Sequence, residues 1–469
     1  MSARAGNSHK KLAYIDPAEF TPQFSWRKSS RAKGVEHVFC ESVDLTDAAS
    51  SFGTPTYVYS RAAIGEAYGE FDHGLGRIPH TICFAVKSNG NLSILNDLVK
   101  RGSGFDIVSG GELEHLGHLG VRGDRIVFSG VGKTRHEIRE ALQYSAGVRG
   151  HHAKQSHGGI LLFNVESEAE LEVLLEESGR HMKLGGRIPS VAIRVNPDVA
   201  AGGHPHIATG SHTHKFGLDW PEARRLYLAH KDSKYFRWKG ISAHIGSQIV
   251  SLEPFRRAFR RIAGFASELR SAGIELEYLD IGGGLGVRYT TEKISSRVEY
   301  AQMVASLVRP LGLHLLLEPG RSIIAASSVL LTRVIYTKRN RGKTFVVVDA
   351  AMNDLLRPAL YGAVHPITKI SRIAKGRSSP TQRVDIVGPV CETGDCLLHD
   401  WPLGEVAPGD VLAIWAAGAY GMTQASNYNA RTRPSEVLID GTRTKLIRRR
   451  ETQDDLLRTD VLAPRKRDR

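Results

Sequence analysis

The feature that most constrains this 469-residue chain is a rhythm through its middle. Apolar, strand-like runs recur at 81–87, 104–109, 125–129, 159–165, 190–196, 240–246, 276–281 and 313–318. Most of the intervals carry helical patterns, as at 93–100, 111–119, 166–178 and 254–272. A short apolar run bounded by turn residues reads as a buried strand, and strands joined through helices lie parallel. Eight such units predict a closed (β/α)8 barrel. An open doubly wound sheet is the alternative, and the evenness of the repeat favours closure. Polar residues stand at the C-terminal ends of the runs: Lys87, Asp106, Ser129, Asn164, Asn196, His244, Gly282 and Glu318. That rim is where barrel enzymes place their chemistry.

Beyond residue 322 the pattern changes. Strand-like runs at 327–337, 344–349, 383–388, 411–415 and 435–439 are separated by Gly, Pro and charged turns with little helix. This predicts an all-β sandwich or barrel domain, completed by N-terminal strands at 38–45 and 57–59. The expected organisation is a disordered extension over 1–35 and a barrel over 60–325. A β domain is assembled from 36–59 and 326–460, with a short helix at 451–457 and a basic tail over 461–469.

Composition narrows the class. An apolar fraction of 41% supports sizeable cores. No apolar run approaches the roughly 18–20 residues of a membrane span, so no membrane partner is expected. The first residues are polar and lack a signal core. Four scattered cysteines suit a reducing compartment, and a cytoplasmic location is the expectation. Cys391 and Cys396 share a segment without a second pair, a poor zinc pattern. His151, His152, His157, His204, His206, His212 and His214 fall in Gly-rich interruptions at 147–159 and 202–214. These read as loops, since the i, i+4 spacing of a metal helix is missing, and no metal is expected. The net charge of +14 is concentrated toward the chain ends, without nucleic-acid motifs. An anionic cofactor and a dicarboxylate substrate fit it as well as nucleic acid does.

Individual residues then suggest chemistry. Lys87 ends an apolar run and is followed by Ser88, Asn89 and Gly90, which places an amine at the mouth of a packed strand. Such an amine loses hydration and becomes a usable nucleophile. A solvated strand-end lysine is the ordinary alternative. Gly282-Gly-Gly284 lets backbone N–H groups approach a phosphate closely, but Val287 breaks a dinucleotide fingerprint. Glu318, in Glu318-Pro-Gly-Arg321, puts a carboxylate and a guanidinium at the eighth strand tip. His244 and Ser247 follow the sixth.

These segments resemble one family. Phe84-Ala-Val-Lys-Ser-Asn89 is similar to the Schiff-base lysine motif of the pyridoxal-phosphate-dependent amino-acid decarboxylases of the alanine-racemase-like class. Phe105-Asp-Ile-Val-Ser-Gly-Gly-Glu-Leu113, Lys215-Phe-Gly217, His244-Ile-Gly-Ser247, the triple glycine and Glu318-Pro-Gly-Arg321 match as well. The resemblance runs from about 38 to 457, and within the class it is to the diaminopimelate decarboxylases. It implies pyridoxal 5'-phosphate held by Lys87, Asp106, His244, Ser247, Gly283, Gly284, Glu318, Pro319, Gly320, Arg321 and Tyr420. It further implies that Arg321, Arg357, Tyr361, Glu392 and Tyr420 hold meso-2,6-diaminopimelate, and that Cys391 is the acid that reprotonates the α-carbon. Thr393 stands where the family usually has serine. The family pairs two subunits so that the Cys391–Glu392 segment reaches the partner's barrel, which implies a homodimer with shared sites. An ornithine, arginine or carboxynorspermidine decarboxylase is the rival within the class, and Arg357 argues against a diamine-forming enzyme. A catalytically silent regulatory protein and a nucleic-acid binder are the rivals outside it.

Overall fold

The computed structural model describes residues 16, 21, 23–145, 158–199, 215–374 and 382–462. The seven histidines named above lie outside these residues, as do most of the basic tail and the first fifteen positions. The described chain forms two compact units, one spanning Ile64–Arg288 and Glu292–Ala325, the other made of the remaining segments.

The first unit is the closed barrel that the repeat predicts. Its strands are β1 (His80–Ala85), β2 (Gly104–Ile107), β3 (Ile126–Phe128), β4 (Leu162–Val165), β5 (Ser190–Val195), β6 (Arg237–Ala243), β7 (Tyr278–Asp280) and β8 (His314–Leu317). Each pairs in parallel with its sequence neighbours, and β8 closes on β1 through Leu315↔His80 and Leu317↔Ile82. Cys83, Val127, Leu162, Ala192 and Leu316 form a buried cluster contributed by five different strands. Small polar residues start the helices that follow the strands. Ser109, Thr134, Ser167, Asp219 and Ser296 each accept a backbone N–H three residues on, and Thr134 and Ser296 complete capping boxes with Glu137 and Glu299. Each cap satisfies N–H groups that the helix leaves open.

The strands are shorter than the apolar runs suggest. The first ends at Ala85, and Lys87 lies in one turn of 3₁₀ helix, Val86–Ser88, closed by Asn89 N–H on Val86 O at 2.9 Å. His244 likewise follows the last residue of β6. Apolar character continues past the last ladder hydrogen bond because the rim itself is packed.

The second unit contains a nine-stranded mixed sheet. Its long strand Ser328–Asn340 pairs antiparallel with Thr56–Ser60, Lys343–Val348 and Val411–Trp415. Thr56–Ser60 also pairs in parallel with Ser435–Asp440, so an N-terminal segment completes the C-terminal sheet. A separate four-stranded sheet joins Phe24–Lys28, Val35–Cys40, Val43–Asp44 and Ser371–Ile373. The expectation of a disordered extension over 1–35 is corrected over 24–35, where Phe24–Lys28 pairs with Val35–Cys40; most of 1–22 lies outside the described residues. Phe24 is buried edge-on against Trp415 at 5.4 Å, and Arg372 lies over Trp26 at 4.1 Å. Two aromatics in five residues are too few to register as a period. The edge is the neighbouring strand Val35–Cys40, and the packing partners, Trp415 and Arg372, come from the far part of the chain. The short helix expected at 451–457 is Gln453–Leu457.

Candidate active site

In the barrel unit the strand-tip residues converge. Lys87 Nζ donates to Asp106 Oδ2 at 2.5 Å, from a side chain about one-third exposed to one with no exposure. The sequence suggests an amine in an apolar collar. The structure pairs it with a buried carboxylate one strand away.

Glu318 is buried behind the lysine. Burial, then the negative charges of Asp106 and Asp280, push its carboxyl well above the usual range, with Lys87 opposing. Asp280, also buried, is pushed up by the same desolvation. A network holds the pair. Asn164 Nδ2 donates to Asp280 Oδ2 at 2.6 Å and to Ser129 Oγ at 3.1 Å. Ser242 Oγ donates to Asp280 Oδ2 at 3.2 Å, and Ser129 Oγ to Glu318 Oε1 at 3.3 Å. Two acids this deep oppose each other's ionisation, which raises both carboxyls.

The glycine turn follows from Asp280, whose Oδ1 accepts the Gly282 N–H at 3.0 Å. Gly282 and Gly284 have φ of 65° and 103°, a region that favours glycine. A Cβ on Gly283 would lie under 3.0 Å from the Glu318 carbonyl oxygen, and one on Gly284 equally close to the Gly246 carbonyl. His244 Nδ1 accepts the Gly283 N–H at 3.2 Å. Burial, then the charges of Arg194 and Lys87, hold the His244 pKa well below the usual histidine range. The ring is therefore neutral, with its proton on Nε2. Arg321 Nη2 donates to Ser247 Oγ at 3.1 Å, which joins a cation and a hydroxyl beside the glycines. Pro319 O accepts the Ala85 N–H at 3.2 Å, and a Cβ on Gly320 would strike Ser88. The Glu318-Pro-Gly-Arg321 turn is thus packed on the turn that bears Lys87.

In the second unit Arg357 and Tyr361 are the ends of one short helix, Arg357–Tyr361. Arg357 is buried and donates from Nη1 to Tyr289 Oη at 3.0 Å and His365 Nε2 at 2.6 Å. His365 Nδ1 lies 2.9 Å from Trp415 O and donates to it, which leaves Nε2 to accept. Gln424 Nε2 donates to Tyr361 Oη at 3.2 Å. Tyr420 adopts a φ of 56°, an uncommon conformation for a tyrosine. Cys391 and Glu392 are exposed on the loop 388–395. Asp395 ties that loop down by accepting the Val390 and Met352 N–H groups at 2.8 and 2.7 Å. Tyr428 Oη donates to Glu392 Oε2 at 3.2 Å, and the Cys391 N–H reaches Asn429 Oδ1 at 3.0 Å. The candidates therefore form two sets, one on each unit.

Several participants were not evident from the sequence. Asp280 precedes the triple glycine and reads there as the polar end of a run. Ser129 and Asn164 are strand-tip polar residues with no partner in view. Arg194 Nη1 donates to Glu166 Oε1 at 2.8 Å and lies over Phe216 at 4.9 Å, which places Lys215-Phe-Gly217 against β5. The rim position was the only signal for any of them.

Residues 61–325 match the family model described as the pyridoxal binding domain of pyridoxal-dependent decarboxylases. Diaminopimelate decarboxylase of Pseudomonas aeruginosa is 45% identical over 427 residues, covering 91% of this chain and 97% of that protein. The crystal structure of diaminopimelate decarboxylase from Helicobacter pylori with L-lysine superposes with a TM-score of 0.80 at 39% identity, covering 88% of this chain and 98% of that one. The enzyme from M. jannaschii with L-lysine gives 0.83 at 34% identity, over 95% and 99% of the two chains. The chain therefore belongs to the diaminopimelate decarboxylase family of fold-type III, pyridoxal-phosphate-dependent carboxy-lyases.

Proposed function

We propose that this protein decarboxylates meso-2,6-diaminopimelate to L-lysine and carbon dioxide, the final step of lysine biosynthesis, with pyridoxal 5'-phosphate held at the barrel rim. The observation that carries the reading is the placement of Lys87 and the buried Glu318 and Asp280 carboxyls beside a turn with no room for a Cβ. An aldehyde needs the amine, a phosphate needs close backbone N–H groups, and a pyridine nitrogen needs an acid. All three are present on this unit.

When bound, pyridoxal phosphate supplies a sink for the electron pair released as the α-carboxylate departs. Lys87 is the anchoring amine, and Asp106 steadies it. Gly283, Gly284, Ser247 and Arg321, with Gly320 allowing the turn to close, form the phosphate cradle. Glu318, backed by Asp280, holds a proton at the pyridine nitrogen. His244 offers a neutral flat ring, so stacking brings no competing positive charge. Pro319 fixes the turn, and Tyr420 contributes to cofactor and substrate.

Arg321, Arg357 and Tyr361 grip the distal carboxylate, and Glu392 takes the distal ammonium. A planar guanidinium suits a carboxylate, which favours diaminopimelate over ornithine, arginine or carboxynorspermidine. Held at one end, the substrate turns the reacting carboxylate toward the orientation in which it leaves. Cys391 then delivers a proton from Sγ to the α-carbon. Cys391 and Glu392 are exposed here, which supports a C2 homodimer in which each copy lends this loop to the other's barrel. No helix among the described residues is long and apolar enough to cross a membrane. The four free cysteines support a cytoplasmic location.

The test is carbon dioxide and lysine release from meso-diaminopimelate beside a panel of ornithine, arginine and lysine. Turnover confined to diaminopimelate and lost in Lys87→Ala, together with the visible cofactor absorbance, is the expected result. An equally active or equally coloured Lys87→Ala protein would overturn the assignment.

A further inference from the structure

The β ribbon that carries the Cys391 loop brings together three metal-ligating side chains from outside the site described above. We propose that Asp385, Cys396 and His399 form a binding site for one thiophilic divalent cation of the zinc, cobalt or cadmium kind. Asp385 lies on the strand Gln382–Val387 and the other two on Cys396–Leu403, its antiparallel partner. His399 stands three residues from Cys396 on the same strand, and the cross-strand pairing adds Asp385.

Their donor atoms all lie within 4.8 Å of one another. Cys396 Sγ is 3.3 Å from His399 Nδ1, which is 2.9 Å from Asp385 Oδ2. Tetrahedral zinc with bonds of about 2.0–2.3 Å separates its ligands by roughly 3.4–3.6 Å, so small side-chain adjustments admit the ion. One sulfur, one nitrogen and one oxygen exclude magnesium and calcium, which take oxygen ligands. A nucleophilic Cys–His–Asp relay is excluded too. Both neighbours of the ring meet the same nitrogen, Nδ1, which cannot accept from the thiol while donating to the carboxylate.

The surroundings suit a cation. Asp385 is buried, and its Oδ1 accepts the Asp400 N–H at 2.8 Å. Lys343 Nζ lies 2.6 Å from Oδ2, on a side chain about half exposed. A divalent ion displaces that ammonium into solvent and substitutes a larger charge for it. The Asp400 carboxylate is engaged with Arg383 at 2.9 Å and stays out of the set. The Cys396 S–H faces the Leu398 and Ile386 carbonyl oxygens at 3.4 and 3.6 Å, so the free thiol carries its proton. Each ion bound therefore breaks one S–H bond, forms one metal–sulfur bond and releases one proton to solvent. Solvent completes the coordination, because His399 is 71% exposed.

The experiment is titration of the reduced holoenzyme with Cd²⁺, read by the ultraviolet thiolate-to-metal charge-transfer band, and with Co²⁺, read by its ligand-field spectrum. Wild type and Cys391→Ser are expected to show the band saturating at one equivalent, with affinity rising about tenfold per pH unit as one proton is released. Cys396→Ser and His399→Ala should lose it, while Lys343→Met, which removes the competing cation, should bind several-fold more tightly. His399 and Lys343 have exposed side chains, so those two variants report on binding even if Cys396→Ser folds poorly. A band that survives in His399→Ala, disappears in Cys391→Ser or weakens in Lys343→Met would overturn the proposal. So would no thiolate band at all in the wild type.

Discussion

Lys133 offers the sharpest test of how the barrel rim is held. Its ammonium has no solvent exposure, and each of its protons has an acceptor at 2.8 Å: Gly130 O, Asn164 O and Glu170 Oε1. Lys133→Met keeps the stem and removes the charge, leaving Glu170 buried with only the Glu166 N–H, at 3.0 Å. Removing one partner of such a pair costs about 3–5 kcal/mol. Burial already raises the Glu170 pKa, and the Lys133 charge opposes the rise. Without Lys133 the folded-state pKa climbs further above the unfolded value of about 4.3. A raised folded pKa gives stability below the unfolded value that is lost as pH rises, so the variant's deficit is larger at pH 8 than at pH 5. Urea unfolding followed by tryptophan fluorescence at the two pH values measures this. Lys133→Met/Glu170→Leu should recover most of the loss, since no buried charge remains. A deficit under about 1 kcal/mol at pH 8, or one independent of pH, would refute the reasoning. Because Lys133 also holds the Asn164 carbonyl, and the Asn164 amide supports Asp280, the variant should bind pyridoxal phosphate more weakly as well.

Four further outcomes are expected. Glu112, whose Oε2 accepts the Val108 N–H at 2.7 Å, is pushed up to about 7 by burial. Wild-type stability should therefore fall between about pH 4 and 8, and Glu112→Gln should flatten that fall by about 1–3 kcal/mol in melts across this range. Gly283→Ala drives a methyl group into the Glu318 carbonyl. It should cost about 1–3 kcal/mol and weaken cofactor binding in a fluorescence titration, and an unchanged dissociation constant would remove Gly283 from the cradle. Cys391→Ala should bind the cofactor normally yet lose most turnover, and full activity in a carbon dioxide assay would exclude its acid role. Arg357→Met should lower kcat/KM for diaminopimelate by about ten- to hundredfold, chiefly through KM, with cofactor affinity unchanged. An unaltered KM would mean that another group reads the distal carboxylate.

The sequence determined what is carried by short-range pattern and residue identity. Eight alternations of apolar run and helix specify a barrel, because a strand pairing in parallel with its neighbour needs a crossover helix each time. Strand-tip position then singles out Lys87, Asp106, His244 and Glu318 without any knowledge of contacts. Tertiary structure decided the partnerships. Asn164 meets Asp280 across 116 residues only because closure brings β4 and β7 to a common interior, and no local window encodes that distance. The same holds for Phe24, whose strand pairs with the nearby Val35–Cys40 but packs on the distant Trp415, and for Cys396, which meets Asp385 through strand pairing. Burial is a property of the closed fold. The raised carboxyls of Glu318 and Asp280, the neutrality of His244 and the buried charge of Lys133 therefore had to wait for the tertiary structure, since each depends on how much water the surrounding chain removes.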